Sequence, residues 1–185
     1  MSAAEYIAGF FLVIIGFAIS EILKGSARLV RERRKIKFYW PYLLVIPLFF
    51  EILIFWFLWL FPTINGPKPD GWTVPEVLFL GIMVAPIAFM SYLFFPSRIT
   101  VDFDLESFYF ENGKVIFAIA AVLNTFSIVG VVMSGSSEGL IGTIGTMILN
   151  VLPLINFKKF HLVSLVALII LVNYVIFFTM PITIM

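Results

Sequence analysis

Six stretches of this sequence, each roughly 20 residues long, are almost wholly apolar, and that pattern leaves few folds open. A helix needs about that length to cross a hydrocarbon core, and only helices or closed barrels satisfy their own backbone there. The stretches are residues 6–23, 40–61, 76–95, 115–133, 139–155 and 160–180. They predict an all-α fold: a polytopic membrane bundle of six transmembrane helices forming one domain over residues 1–185. The fifth is the shortest and holds Gly139, Gly142, Gly145, Asn150 and Pro153.

Composition agrees. Charged residues make up 12% of the chain and hydrophobic ones 62%, against about 25% charged in a soluble domain. The hydrophilic stretches are too short to bury a core of their own. The N-terminus, MSAAEYIAGFF, has no basic residue and carries Glu5 just before the first stretch, so a retained helix is expected rather than a cleaved signal. Cysteine is absent, which removes disulfides, thiolate metal sites and cysteine nucleophiles.

Breaks separate the stretches. PTINGPKPDG at 62–71 is rich in turn formers and is expected to end the second helix. SGSSEG at 134–139 and NFKKFH at 156–161 read as tight turns, Pro96 stops the third span, and Gly113 marks the start of the fourth.

Charge then sets orientation. Of the twelve Lys and Arg residues, all but Lys68 fall in the first, third and fifth loops. The positive-inside rule makes those loops cytoplasmic and places both termini outside. The address expected is a plasma or inner membrane, multi-pass.

In loop one, Arg28, Arg31, Arg34 and Lys37 recur every third residue. Glu32, Arg33 and Lys35 fill the gaps, whereas a ladder that crosses the membrane field needs apolar residues between its charges. The stretch therefore reads as a basic extension touching anionic lipid headgroups. Loop three carries Asp102, Asp104, Glu106 and Glu111 among aromatic residues. Asp102 or Asp104 could cap a short helix at LESFYFEN, and the opposite charges suggest that loops one and three pair into a cytoplasmic collar.

The functional hint lies at membrane depth. Centring each span puts Glu51 and Asn124 at mid-bilayer, with Asn173 and Asn150 about two and three residues away. At 1.5 Å per residue all four fall within roughly 5 Å of the midplane. Polar groups there are costly and are expected to face the bundle interior or a water-filled cavity. Glu51 has no Lys or Arg at comparable depth, and desolvation works against a bare carboxylate. Such a group suits the binding and release of a proton or cation, with the amides as ligands. For each Asn the structural role of holding two helices together is the leading reading.

Pro47, Pro86 and Pro153 lie close to this level. Each removes a backbone donor and frees a carbonyl one turn earlier, so each is a candidate helix kink. Kinked helices around midplane polar groups recur in transport sites, and simple packing curvature is the alternative.

No catalytic constellation stands out. His161 is the sole histidine and is expected at the interface beside Lys158 and Lys159 rather than as a ligand. No cluster has metal-ligand spacing, and no phosphate loop or nucleophile elbow is present. A membrane enzyme would need acids such as Glu21, Asp102 or Glu106 to converge. No cofactor, metal or nucleic-acid partner is expected. The sequence points to a permeation protein (channel or transporter) for an ion, proton or small solute, acting as a homo-oligomer in the lipid bilayer. The alternative is a non-catalytic subunit or sensor that docks a cytoplasmic protein through loops 24–38 and 97–114.

Overall fold

A computed structural model of the chain describes residues 3–65, 71–133 and 140–178. The loop at 134–139 and Lys68 lie outside the described residues. The fold is all-α, with six helices among the described residues: α1 (Ala3–Arg31), α2 (Trp40–Asn65), α3 (Val74–Leu93), α4 (Leu105–Met133), α5 (Leu140–Ile155) and α6 (Phe157–Phe178). All but α5 are long and apolar enough to cross a membrane. The described part of α5, 16 residues, covers about 24 Å of a hydrocarbon core of about 30 Å.

The chain packs as two compact units. The first holds residues 1–37 and 49–104, the second 38–48 and 105–185.

In the first unit, α1 presents one continuous inner stripe. Ala8, Phe11, Ile15, Ala18, Ile22, Gly25 and Leu29 are all buried, at alternating spacings of three and four. That spacing keeps a narrow seam on one side of a helix. Tyr6, Phe10, Val13 and Phe17 form the opposite, exposed side. Ala8, Phe11 and Ile15 pack with Leu80 and Val84 of α3 into one apolar cluster. The far ends of α1 and α3 also meet, because a Cβ built on Gly25 would fall on the ring of Phe95. The two helices therefore run parallel. Glu5 in the first turn of α1 and Arg28 and Arg31 in the last oppose the helix dipole favourably. At the start of α3, both the amide and the hydroxyl of Thr73 donate to Glu76 at 2.9 Å.

The second unit is a run of antiparallel neighbours, α4 on α5 and α5 on α6, with the first turns of α2 beside them. Asn156 alone separates α5 from α6, and its side chain accepts the Lys159 amide at 3.2 Å. The turn expected over 156–161 is thus one residue long. An amide-capped start lets the next residues, Phe157 onward, enter the helix at once.

Other boundaries also move. α1 runs on to Arg31 and α4 begins at Leu105, so both continue well beyond their apolar stretches. The short helix expected at LESFYFEN exists as the first turns of α4, directly after Asp104. Gly113 does not start a helix. It is buried inside α4, where a Cβ would meet the ring of Phe157. α2 continues through Pro62 to Asn65.

Loops one and three do meet. After a 3-10 turn at Arg33–Lys35, β1 (Ile36–Lys37) pairs in parallel with β2 (Phe103–Asp104). Ile36 stands opposite Phe103 and Lys37 opposite Asp104, which sets opposite charges side by side. Asp102, just before β2, has a φ of 61°, a left-handed conformation that Asp tolerates better than most residues.

Candidate functional site

Glu51 sits in α2, within the first unit, and is half-buried. It is the one acid or base between Trp40 and Leu58. Its helix is anchored near it by Phe49, whose ring stacks on Phe94 at 5.7 Å and 8°, and by the fully buried Leu53.

The three asparagines belong to the second unit. Each donates its amide NH2 to the carbonyl one turn earlier on its own helix: Asn124 to Ala120, Asn150 to Thr146 and Asn173 to Ile169, at 2.9 to 3.0 Å. Two of them are then joined through Thr146. Its hydroxyl donates to Asn124 Oδ1 at 3.0 Å, and its carbonyl accepts from Asn150. Asn124, Thr146 and Asn150 thus form one polar string across α4 and α5, and Asn150 is buried. Asn173 lies on α6, half-buried.

The Asn124–Thr146 bond links two helices, so its strength is measurable. A cycle of Asn124→Ala, Thr146→Val and the double variant is expected to give a coupling of about 0.6 kcal/mol, and no more than about 1.7. Reversible unfolding in bicelles would read it. Zero coupling would mean that the string does not form.

The candidate kink positions sit inside unbroken helices. Pro47 is exposed on α2, Pro86 is half-buried on α3, and Pro153 is fully buried on α5, three residues after Asn150. Of the candidate headgroup contacts, Arg31, Arg34 and Lys37 are exposed. Arg28 points elsewhere, donating to the carbonyls of Pro96 and Ser97 at 2.7 and 2.9 Å. Among the acids a membrane enzyme would need, Glu21 is bonded to Lys24 at 3.0 Å.

The sequence did not point to the polar cluster around His161. This histidine is buried, 6% exposed. Its Nδ1 lies 2.7 Å from the Phe157 carbonyl and its Nε2 lies 2.9 Å from the Tyr39 hydroxyl. A carbonyl only accepts, so Nδ1 carries a proton. In the neutral ring Nε2 is then bare and accepts from Tyr39. The rings of Tyr39, Tyr109, Phe110 and Phe157 surround the imidazole at 5.2 to 6.4 Å, and Lys158 sits over Phe110. Burial pushes the Tyr39 phenol above its ordinary range, and the Glu106 carboxylate adds to the shift. The hydroxyls of Tyr109 and Ser164 are buried with no hydrogen-bond partner among the described residues.

A signal for this cluster does exist. Phe157, His161, Ser164, Leu165 and Leu168 are the buried stripe of α6, at helical spacing. The stripe shows only when α6 is carried back to Phe157. No protein-family model, no curated protein and no solved structure matches the chain.

Proposed function

We propose that this chain is a small membrane permeation protein, carrying an ion, proton or small solute through a polar site near the midplane. Glu51 is its titratable or cation-binding group, and Asn124, Asn150 and Asn173 are supporting ligands. Both termini face outward, and a homo-oligomer in a plasma or inner membrane is the working assembly. The observation that best supports this reading is the string Asn124–Thr146–Asn150. It links polar side chains within the apolar stretches of α4 and α5, where the sequence puts them near the midplane and such groups are costly and mark pathways. The burial of Pro153 beside it adds a free backbone carbonyl at Leu149.

The test is flux of protons and monovalent cations in liposomes, wild type against Glu51→Gln. Flux in the wild type that falls to the level of protein-free vesicles in the variant is the expected result. Equal flux in the two would remove Glu51 from the mechanism.

A second reading is favoured by the β1–β2 pair. It sets Ile36–Lys37 beside Phe103–Asp104 within the charged stretches 24–38 and 97–114, which this reading takes as the docking surface for a cytoplasmic protein partner. Indifference to Glu51→Gln, together with recovery of a partner that charge reversal in these loops abolishes, would favour it.

A further inference from the structure

We infer that His161 and Tyr39 form a proton-exchange site in the second unit, in which Tyr39 relays protons between the collar side and a buried imidazole. This deepens the permeation reading by naming the proton as the species, and it rests on that reading for its link to transport.

Three features of the geometry carry it. First, the Phe157 carbonyl holds Nδ1 in its protonated form, so Nε2 is the one ring nitrogen left to gain or lose a proton. Second, Nε2 faces a hydroxyl, which both donates and accepts. Tyr39 is half-buried, and Glu106, exposed in the first turn of α4, acts on its phenol electrostatically. Tyr39 thus joins the buried imidazole, through its hydroxyl, to its own partly exposed side. Third, the hydroxyls of Tyr109 and Ser164 are buried without partners among the described residues. Tyr109 lies against the imidazole, ring centres 5.6 Å apart, and Ser164 follows His161 by one turn of α6. Unpaired buried hydroxyls are rare, and each calls for an explanation such as a water or a transient partner. Here Tyr109 is the unpartnered hydroxyl whose ring lies against the imidazole.

The exchange step balances simply. Tyr39 passes its hydroxyl proton to Nε2 and takes one from water on its partly exposed side. An N–H bond forms, one O–H bond breaks and another replaces it, and the ring becomes imidazolium. Release is the reverse. Histidine is the side-chain type that makes this exchange between about pH 5 and 8. The groups facing it are Tyr39 ahead of α2, Tyr109 and Phe110 on α4, and Phe157 on α6. Glu106 acts through Tyr39, and Lys158 stands beyond the Phe110 ring.

A single histidine makes the test clean, because 15N-histidine labelling gives one imidazole. NMR of the protein in bilayers should show Nδ1 protonated and Nε2 bare at alkaline pH, the reverse of the tautomer that free histidine prefers. Acidification should convert it to imidazolium. In Tyr39→Phe, which keeps the ring packing, acid-driven proton uptake into vesicles should fall about a hundredfold, the scale of a lost proton-transfer partner. Tyr92→Phe, an exposed tyrosine elsewhere, should leave uptake unchanged. An Nε2-protonated neutral ring, a ring that never protonates, or full uptake in Tyr39→Phe would overturn the proposal. A ring that titrates as described in wild-type protein without flux would sustain the exchange site and overturn the permeation reading instead.

Discussion

Replacing Gly113 with alanine is expected to destabilise the second unit by about 1–3 kcal/mol, the usual cost of overpacking. Within a helix the same change ordinarily stabilises, by up to about 1 kcal/mol, because alanine loses less backbone entropy. The sign therefore depends on what the new methyl meets. At Gly113 it meets the ring of Phe157, and that ring has nowhere to go. Phe157 is 3% exposed and packed at 5.3 to 5.7 Å against Tyr109, Phe110, Phe117 and His161. Moving it would also disturb the carbonyl that holds His161 Nδ1. Gly16 is the control, since nothing lies within 4 Å of a Cβ there, and Gly16→Ala should be neutral or mildly stabilising. Steric trapping or reversible unfolding in bicelles reads both variants. A Gly113→Ala protein as stable as the wild type would mean that α4 and α6 do not approach this closely. Recovery of stability in Gly113→Ala with Phe157→Leu would confirm the ring as the obstacle.

Gly113 also shows which parts of the fold could be read from residues alone. Existence and order of the helices follow from apolar runs, because that run length is what a membrane demands. Their ends do not follow, because an apolar run marks only the part of a helix that meets lipid. The stretches Lys24–Arg31 and Leu105–Lys114 are charged, yet their Arg, Lys, Glu and Leu residues are good helix formers, and α1 and α4 run straight through them. A glycine at the edge of an apolar run looks like a boundary, and only a partner helix reveals it as a contact. Strands of two residues, Ile36–Lys37 and Phe103–Asp104, leave no periodicity to detect, although the opposite charges of the two loops gave a reason for them to meet.

The candidate site divides in the same way. Depth along a helix can be counted, so Asn124 and Asn150 could be placed near one level. Their partner Thr146 could not, because pairing depends on how α4 and α5 are rotated. Tyr39 and His161 are 122 positions apart, and nothing local to either anticipates the other.

Arg28→Ala is expected to loosen the join between α1 and α3 by about 1.5–3 kcal/mol, the range for hydrogen bonds to a charged group. The guanidinium donates from one nitrogen to two successive carbonyls, Pro96 and Ser97, just past the end of α3. Pro96 is buried, so its carbonyl would lose that donor with little access to water. One turn earlier, Gly25 admits the Phe95 ring, so the two contacts fasten the same seam. Lysine at position 28 should restore only part of the loss, since its ammonium ends one bond short of the guanidinium nitrogen that reaches both oxygens. Trypsin cleavage after the exposed Arg98 gives a direct readout, and it should quicken in Arg28→Ala. Arg31, Arg34 and Lys37 are exposed, and their removal should leave stability within about 0.5 kcal/mol of wild type. Their effect should appear instead in attraction to anionic lipid, about 1 kcal/mol for each charge near the surface. On this expectation the four candidate headgroup contacts separate into Arg28, which holds the fold, and three whose removal weakens lipid attraction. Equal losses of lipid attraction from Arg28→Ala and Arg31→Ala, with no change at Arg98, would show that Arg28 belongs with the other three.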